Sequence, residues 1–116
     1  MLNDLYTTWG ENLTGTPWQV YPRPQLKRES YVNLNGPWDF TVSESQPERY
    51  DRTILVPFCP ESSLSGIREH FAEGAGLWYH RVFSLPEGFN RGRVLLHFGA
   101  VDQVAQVFVN GRAVGS

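Results

Sequence analysis

The chain has a single cysteine, Cys59, among its 116 residues, so an internal disulfide framework is excluded. Long apolar runs are missing too: none approaches the roughly 18 residues of a membrane span. The opening MLNDLYTTWG puts Asn3 and Asp4 where a secretory leader needs a basic region and an apolar core. A cytoplasmic location with no membrane partner is therefore the default expectation, and the glycosylation pattern at Asn12-Leu13-Thr14 is read as a chance match. Charge of one sign is not in excess. Ten basic and 12 acidic residues are mixed along the chain and give a net charge of -2, which offers nucleic acid no electrostatic footprint. Lys27-Arg28 is the one basic pair and reads as a solvated loop.

Catalytic signatures are equally scarce. There is no G-x-S-x-G nucleophile motif. His70, His80 and His97 stand far apart, whereas a zinc site needs three or four converging ligands. The Gly74-Ala75-Gly76 segment lacks the lysine and following helix of a phosphate cradle and reads as a turn. No metal and no cofactor is expected in this chain.

What is present is ordinary globular composition, 41% hydrophobic and 14% aromatic, with eight prolines and 11 glycines spread over the whole length. That punctuation favours short strands joined by turns, so the expected class is all-β. No repeat or composition shift marks a second domain, and residues 1–116 are expected to form one. Residues 1–25, broken by Gly10, Gly15, Pro17, Pro22 and Pro24, should form an extended arm without regular structure, and 26–116 a partial β-sandwich.

Within the sandwich segment, Trp38, Phe40 and Val42 alternate with Asp39 and Thr41 in the period of a half-buried strand, after a turn at Asn35-Gly36. A short strand is expected over Thr53–Val56, closed by Pro57, and a single helical turn over Ser62–Leu64, ended by Gly66. LWYHRVFSL, Leu77–Leu85, carries apolar bulk on both faces and predicts a central strand. The last stretch, Arg93 to Ser116, holds two apolar runs, Val94–Phe98 and Val104–Val109. The second ends on Asn110-Gly111, the strongest short hairpin signal, so a further strand should start at Arg112. That strand barely begins before Ser116, which predicts a sheet left open on one edge.

Paired carboxylates are the remaining chemical possibility, since glycoside hydrolysis needs an acid and a nucleophile or base flanking the scissile bond. Glu61, Glu69 and Glu73 cluster near the long loop. They lie in flexible polar sequence with nothing nearby to raise a pKa toward neutrality, so the expected role is that of solvated carboxylates.

Four of these segments resemble a known family. LNGPWDF (Leu34–Phe40), VPFCPESSLSGI (Val56–Ile67), LWYHRVFSLP (Leu77–Pro86) and RVLLHFGAVDQVAQVFVNGRAVG (Arg93–Gly115) are similar, in the same order, to the amino-terminal sugar-binding domain of glycoside hydrolase family 2. That family includes β-galactosidases, β-glucuronidases and β-mannosidases. VPFCPES and the run from FGAVD to VNG point to the β-galactosidase-like members. The resemblance implies a jelly-roll or galactose-binding-like β-sandwich, truncated before its last strands, at the front of a multidomain enzyme. In such enzymes an immunoglobulin-like sandwich and a (β/α)8 barrel follow, and the barrel supplies two glutamates for retaining hydrolysis of β-glycosides. By that resemblance no carboxylate here is catalytic, and the chain alone is inactive. Its partners are then the carbohydrate substrate, reached through the parent enzyme, and the missing carboxy-terminal domains of a parent that assembles as a homo-oligomer. In some β-galactosidases a loop after the VP segment contributes a polar residue to sugar binding. The corresponding interval, Glu61 to Gly76, has no matching asparagine, and Arg68, Glu69 and His70 are singled out as carbohydrate-binding residues on position and polarity alone. The other readings of the sequence are a free-standing carbohydrate-binding module and a structural sandwich without activity.

Overall fold

The computed structural model describes residues 4–116. The backbone divides into two compact units, Met1–Leu85 and Pro86–Ser116. Among the described residues strands predominate, the sheets are antiparallel, and no helix is long and apolar enough to cross a membrane.

In the first unit, β1 (Gly36–Val42) lies between β2 (Arg52–Val56) and β3 (Leu77–His80). The alternation around Trp38 and Phe40 decides which face is covered. Phe40 stands opposite Arg52 on one neighbour and Tyr79 on the other, and Trp38 stands opposite Ile54. Phe40 and Ile54 are fully buried, with the Phe71 ring 5.9 Å and the Tyr79 ring 5.2 Å from that of Phe40. The Trp38 indole N–H donates to the Leu34 carbonyl at 2.7 Å, which settles its one polar atom. Asp39, one residue out of phase, is exposed on the opposite face and sits across from Thr53 and His80.

Three expectations are corrected in this unit. The strand predicted over Leu77–Leu85 ends at His80, and β3 is an edge of the sheet instead of a central strand. Continued past His80 on the same register, Val82 would face Pro37, which has no N–H to give to a ladder. The Arg81 guanidinium, next in the chain, donates instead to the Leu34 carbonyl at 2.5 Å and the Asn35 carbonyl at 3.0 Å and lies 6.0 Å from the Trp38 ring. The arm is also more regular than its prolines suggest: α1 (Thr8–Glu11) forms one helical turn, capped by the Thr7 hydroxyl on the Gly10 N–H, and a 3-10 turn covers Pro24–Leu26. The second strand starts at Arg52, one residue before the predicted Thr53. The helical turn after Val56 is present as a 3-10 turn over Ser63–Ser65, with the Ser62 hydroxyl accepting from the Leu64 N–H and Gly66 closing it in the left-handed region at φ 83.

In the second unit β4 (Val107–Val109) pairs with β5 (Arg112–Gly115) across the predicted hairpin turn. Asn110 and Gly111 both have positive φ, 50 and 76, as a type I′ turn requires. The strand expected from Arg112 is therefore formed, with an irregularity between Val107 and Phe108. Val94–Phe98 is not a strand. Val94, Leu95, Leu96 and Phe98 are all exposed, and an apolar extended run becomes a strand only where a partner completes its ladder.

These packing differences give a sharp contrast in stability. Phe40→Ala should destabilise the chain by about 3–5 kcal/mol, whereas Val104→Ala, at a side chain 86% exposed, should stay within about 0.5 kcal/mol of the parent. Urea unfolding followed by circular dichroism measures both, and equal midpoints for the two variants would contradict this placement of the core.

Candidate functional site: the loop from Glu61 to Gly76

The loop is shaped first by its serines. Ser65, buried among polar neighbours, donates its hydroxyl to the Ser62 carbonyl at 2.7 Å and the Pro60 carbonyl at 3.2 Å, and accepts from the Ile67 N–H at 3.0 Å. The Glu69 N–H returns to the Pro60 carbonyl at 3.2 Å. One hydroxyl and one backbone bond thus fold residues 60–69 into a closed loop. Arg68 adopts positive φ, 56, within it, and the side chains on either side of that bend point to different partners.

The three residues singled out from the sequence do not converge. Arg68 pairs with Asp4 on the arm at 2.9 Å, Glu69 pairs with Arg52 on β2 at 2.9 Å, and His70 Nδ1 lies 3.2 Å from Glu61 Oε1. The Arg52 guanidinium also stands 5.8 Å from the Phe71 ring, which itself packs on Phe40. Glu69 is therefore part of the clamp that holds the loop to the covered face of the sheet. His70 is the most exposed of the three, its side chain 76% accessible.

Electrostatics separate Glu61 from its neighbours. Its own backbone N–H, the largest influence, holds its carboxyl below the usual range against the opposing cost of burial, and weaker hydrogen bonds with His70 and the Cys59 thiol add to the lowering. Burial raises the Tyr79 hydroxyl, with the nearby Cys59 and Glu61 adding to it. A carboxylate held ionised accepts hydrogen bonds from hydroxyl groups but is a poor general acid at neutral pH. No group of three His, Cys, Asp or Glu side chains suited to a metal ion occurs among the described residues.

A second polar cluster escaped the sequence reading. His80 Nδ1 lies 2.9 Å from Asp39 Oδ2 on the open face of the sheet, and the Tyr50 ring stacks on the His80 imidazole with centroids 5.1 Å apart. Burial first, and the Asp39 charge second, raise the Tyr50 hydroxyl. Beside them the Thr41 hydroxyl lowers the Asp51 carboxyl by hydrogen bonding. His80 and Asp39 are 41 positions apart, and only the β1–β3 register places them opposite one another. No local motif signals it.

Because the Glu61 carboxyl is lowered in the folded chain, its contribution to stability is complete above the ordinary value of 4.5 and is lost as pH falls through the lower folded value. Melting temperatures of the parent and Glu61→Gln should therefore differ at neutral pH and converge on acidification. Parallel curves over that range would remove this assignment.

No family model matches the chain. A β-glucuronidase of Streptococcus agalactiae serotype V is 27% identical to it over 99 residues, a match that takes in 83% of this chain and 16% of the length of that enzyme. At this level the likeness supports an origin related to glycoside hydrolases.

Proposed function

We propose that this chain is the amino-terminal, non-catalytic β-sandwich of a family 2 glycoside hydrolase, folded as a jelly roll in the whole enzyme. The whole protein hydrolyses β-galactosides or related β-glycosides such as β-glucuronides by a retaining mechanism, and the catalytic pair lies outside these residues. One observation carries the reading: relatedness runs along 83% of the chain and meets only 16% of a β-glucuronidase. The four ordered motifs, from Leu34–Phe40 to Arg93–Gly115, support the same family. The partners of Glu61 and Glu69 agree with a supporting role, since Glu69 pairs with Arg52 and Glu61 hydrogen-bonds to His70 of the same chain.

Within this reading the polar loop is the part that meets carbohydrate. Arg68 and Glu69 set its shape through Asp4 and Arg52, and His70 offers its imidazole to a sugar hydroxyl.

Two measurements test the proposal. Expression of the reading frame continued past Ser116 should give a protein that hydrolyses 4-nitrophenyl β-D-galactoside or β-D-glucuronide, while the 116-residue chain alone releases no nitrophenol. Turnover by the short chain, or a continued frame that encodes no hydrolase, overturns it. In the continued protein His70→Ala should raise KM a few-fold with kcat unchanged, the signature of a lost ground-state contact. An unchanged KM would remove His70 from the binding surface.

A further inference from the structure

Trp18 combines two features that both oppose folding. Its backbone φ is 49, in the left-handed region that bulky side chains rarely enter. Its side chain is also 70% exposed, leaving one of the largest apolar surfaces in the chain in water. The conformation is held from both sides. Pro17 is buried immediately before it, and the Trp18 carbonyl accepts from Asn33 Nδ2 at 2.7 Å, across 15 positions of sequence. The Phe58 ring, tilted by 45° with its centroid 6.3 Å away, flanks one side of the indole.

Trp9 provides the contrast. It is more exposed still, at 89%, but sits in the helical turn of α1 with no positive φ, and a scattered exposed apolar side chain needs no special account. At Trp18 the surrounding structure enforces an unfavourable backbone whose result is to present an aromatic face. Strain of this kind persists only where neighbours over-determine it, and it clusters at ligand clamps and active sites.

We propose that Trp18, flanked by Phe58, is a stacking platform for the apolar face of a β-linked hexopyranose, a carbohydrate contact separate from the Glu61–Gly76 loop. The assignment of the ligand as a hexose rests on the glycosidase-related reading above. A pyranose has one flat face of C–H groups and a rim of hydroxyls, so an exposed indole covers the former while leaving the latter to water or to polar neighbours such as the adjacent Gln19 amide, which is held on the Pro17 carbonyl at 3.2 Å.

The test is isothermal titration of the 116-residue chain with methyl β-D-glucuronide and methyl β-D-galactoside at millimolar concentration, alongside melting of each variant. Trp18→Asn places at position 18 a residue that tolerates positive φ. It should weaken binding at least about tenfold, as loss of an aromatic stacking partner does, with a melting temperature equal to or above that of the parent. Asn33→Ala, which releases the Trp18 carbonyl, should weaken binding in the same direction, and Trp9→Ala should leave it unchanged. The proposal is overturned if the parent chain takes up neither sugar, if Trp18→Asn binds like the parent, or if Trp18→Asn melts well below the parent, since the indole would then be a packing residue. Hydrolysis by the continued protein together with no sugar uptake by this chain overturns the Trp18 site alone. Sugar uptake that depends on Trp18, with no hydrolase encoded downstream, overturns the enzyme reading alone.

Discussion

The burial of Phe40 is the contact on which the first unit depends. Its ring meets Phe71 from the long loop and Tyr79 from β3, and its position on β1 is opposite Arg52 of β2. One side chain therefore joins three segments that are distant in sequence. Apolar burial is non-directional, so by itself it would tolerate several arrangements of the loop. The direction comes from Arg52, which places its guanidinium near the Phe71 ring and pairs with Glu69, two residues before that ring. Packing draws the loop down, and the ion pair selects which way it lies.

The same division explains why three consecutive polar residues have three different roles. Arg68 ties the loop to the arm through Asp4, Glu69 ties it to the sheet through Arg52, and His70 turns toward Glu61. Had the loop been a regular helix, neighbouring side chains would have followed a fixed rotation. Here the positive φ of Arg68 and the Ser65 hydroxyl hub replace that regularity with a closed loop. The carboxylates in it face cations or hydrogen-bond donors of the chain itself, which is a structural arrangement more than a catalytic one.

Much of the fold was legible in the residues. The alternation from Trp38 to Phe40 identified β1, although its burial inverts at the end, where Thr41 is buried and Val42 exposed; Asn110-Gly111 identified the β4–β5 hairpin, and Ser62 with Gly66 bracketed the short turn, because each of these signals is local. Apart from the locally capped turn of the arm, the deciding partner was remote where the reading failed. β3 stops where its register would meet Pro37, a residue of β1 remote in sequence, and Val94–Phe98 lacked a ladder partner that its own pattern does not reveal. The site divides in the same way. Arg68, Glu69 and His70 were found by their polarity, but their pairing with Asp4, Arg52 and Glu61 was not, and the Asp39–His80–Tyr50 cluster depends on strand register. The left-handed backbone at Trp18 has no signature in the side chain that adopts it.

One consequence of the loop's construction concerns salt. The two ion pairs that orient it, Arg68–Asp4 and Arg52–Glu69, both involve side chains open to solvent, and at physiological ionic strength the screening length is about 8 Å, shrinking to about 3 Å at 1 M. Exposed pairs weaken together under such screening, whereas the Phe40 contact does not. The backbone bonds around Pro60 and Ser65 keep the loop closed, so rising salt loosens the directions of Arg68 and Glu69 before it loosens the loop itself. The polar face of this domain is in that sense an ionic-strength gauge mounted on a salt-indifferent frame.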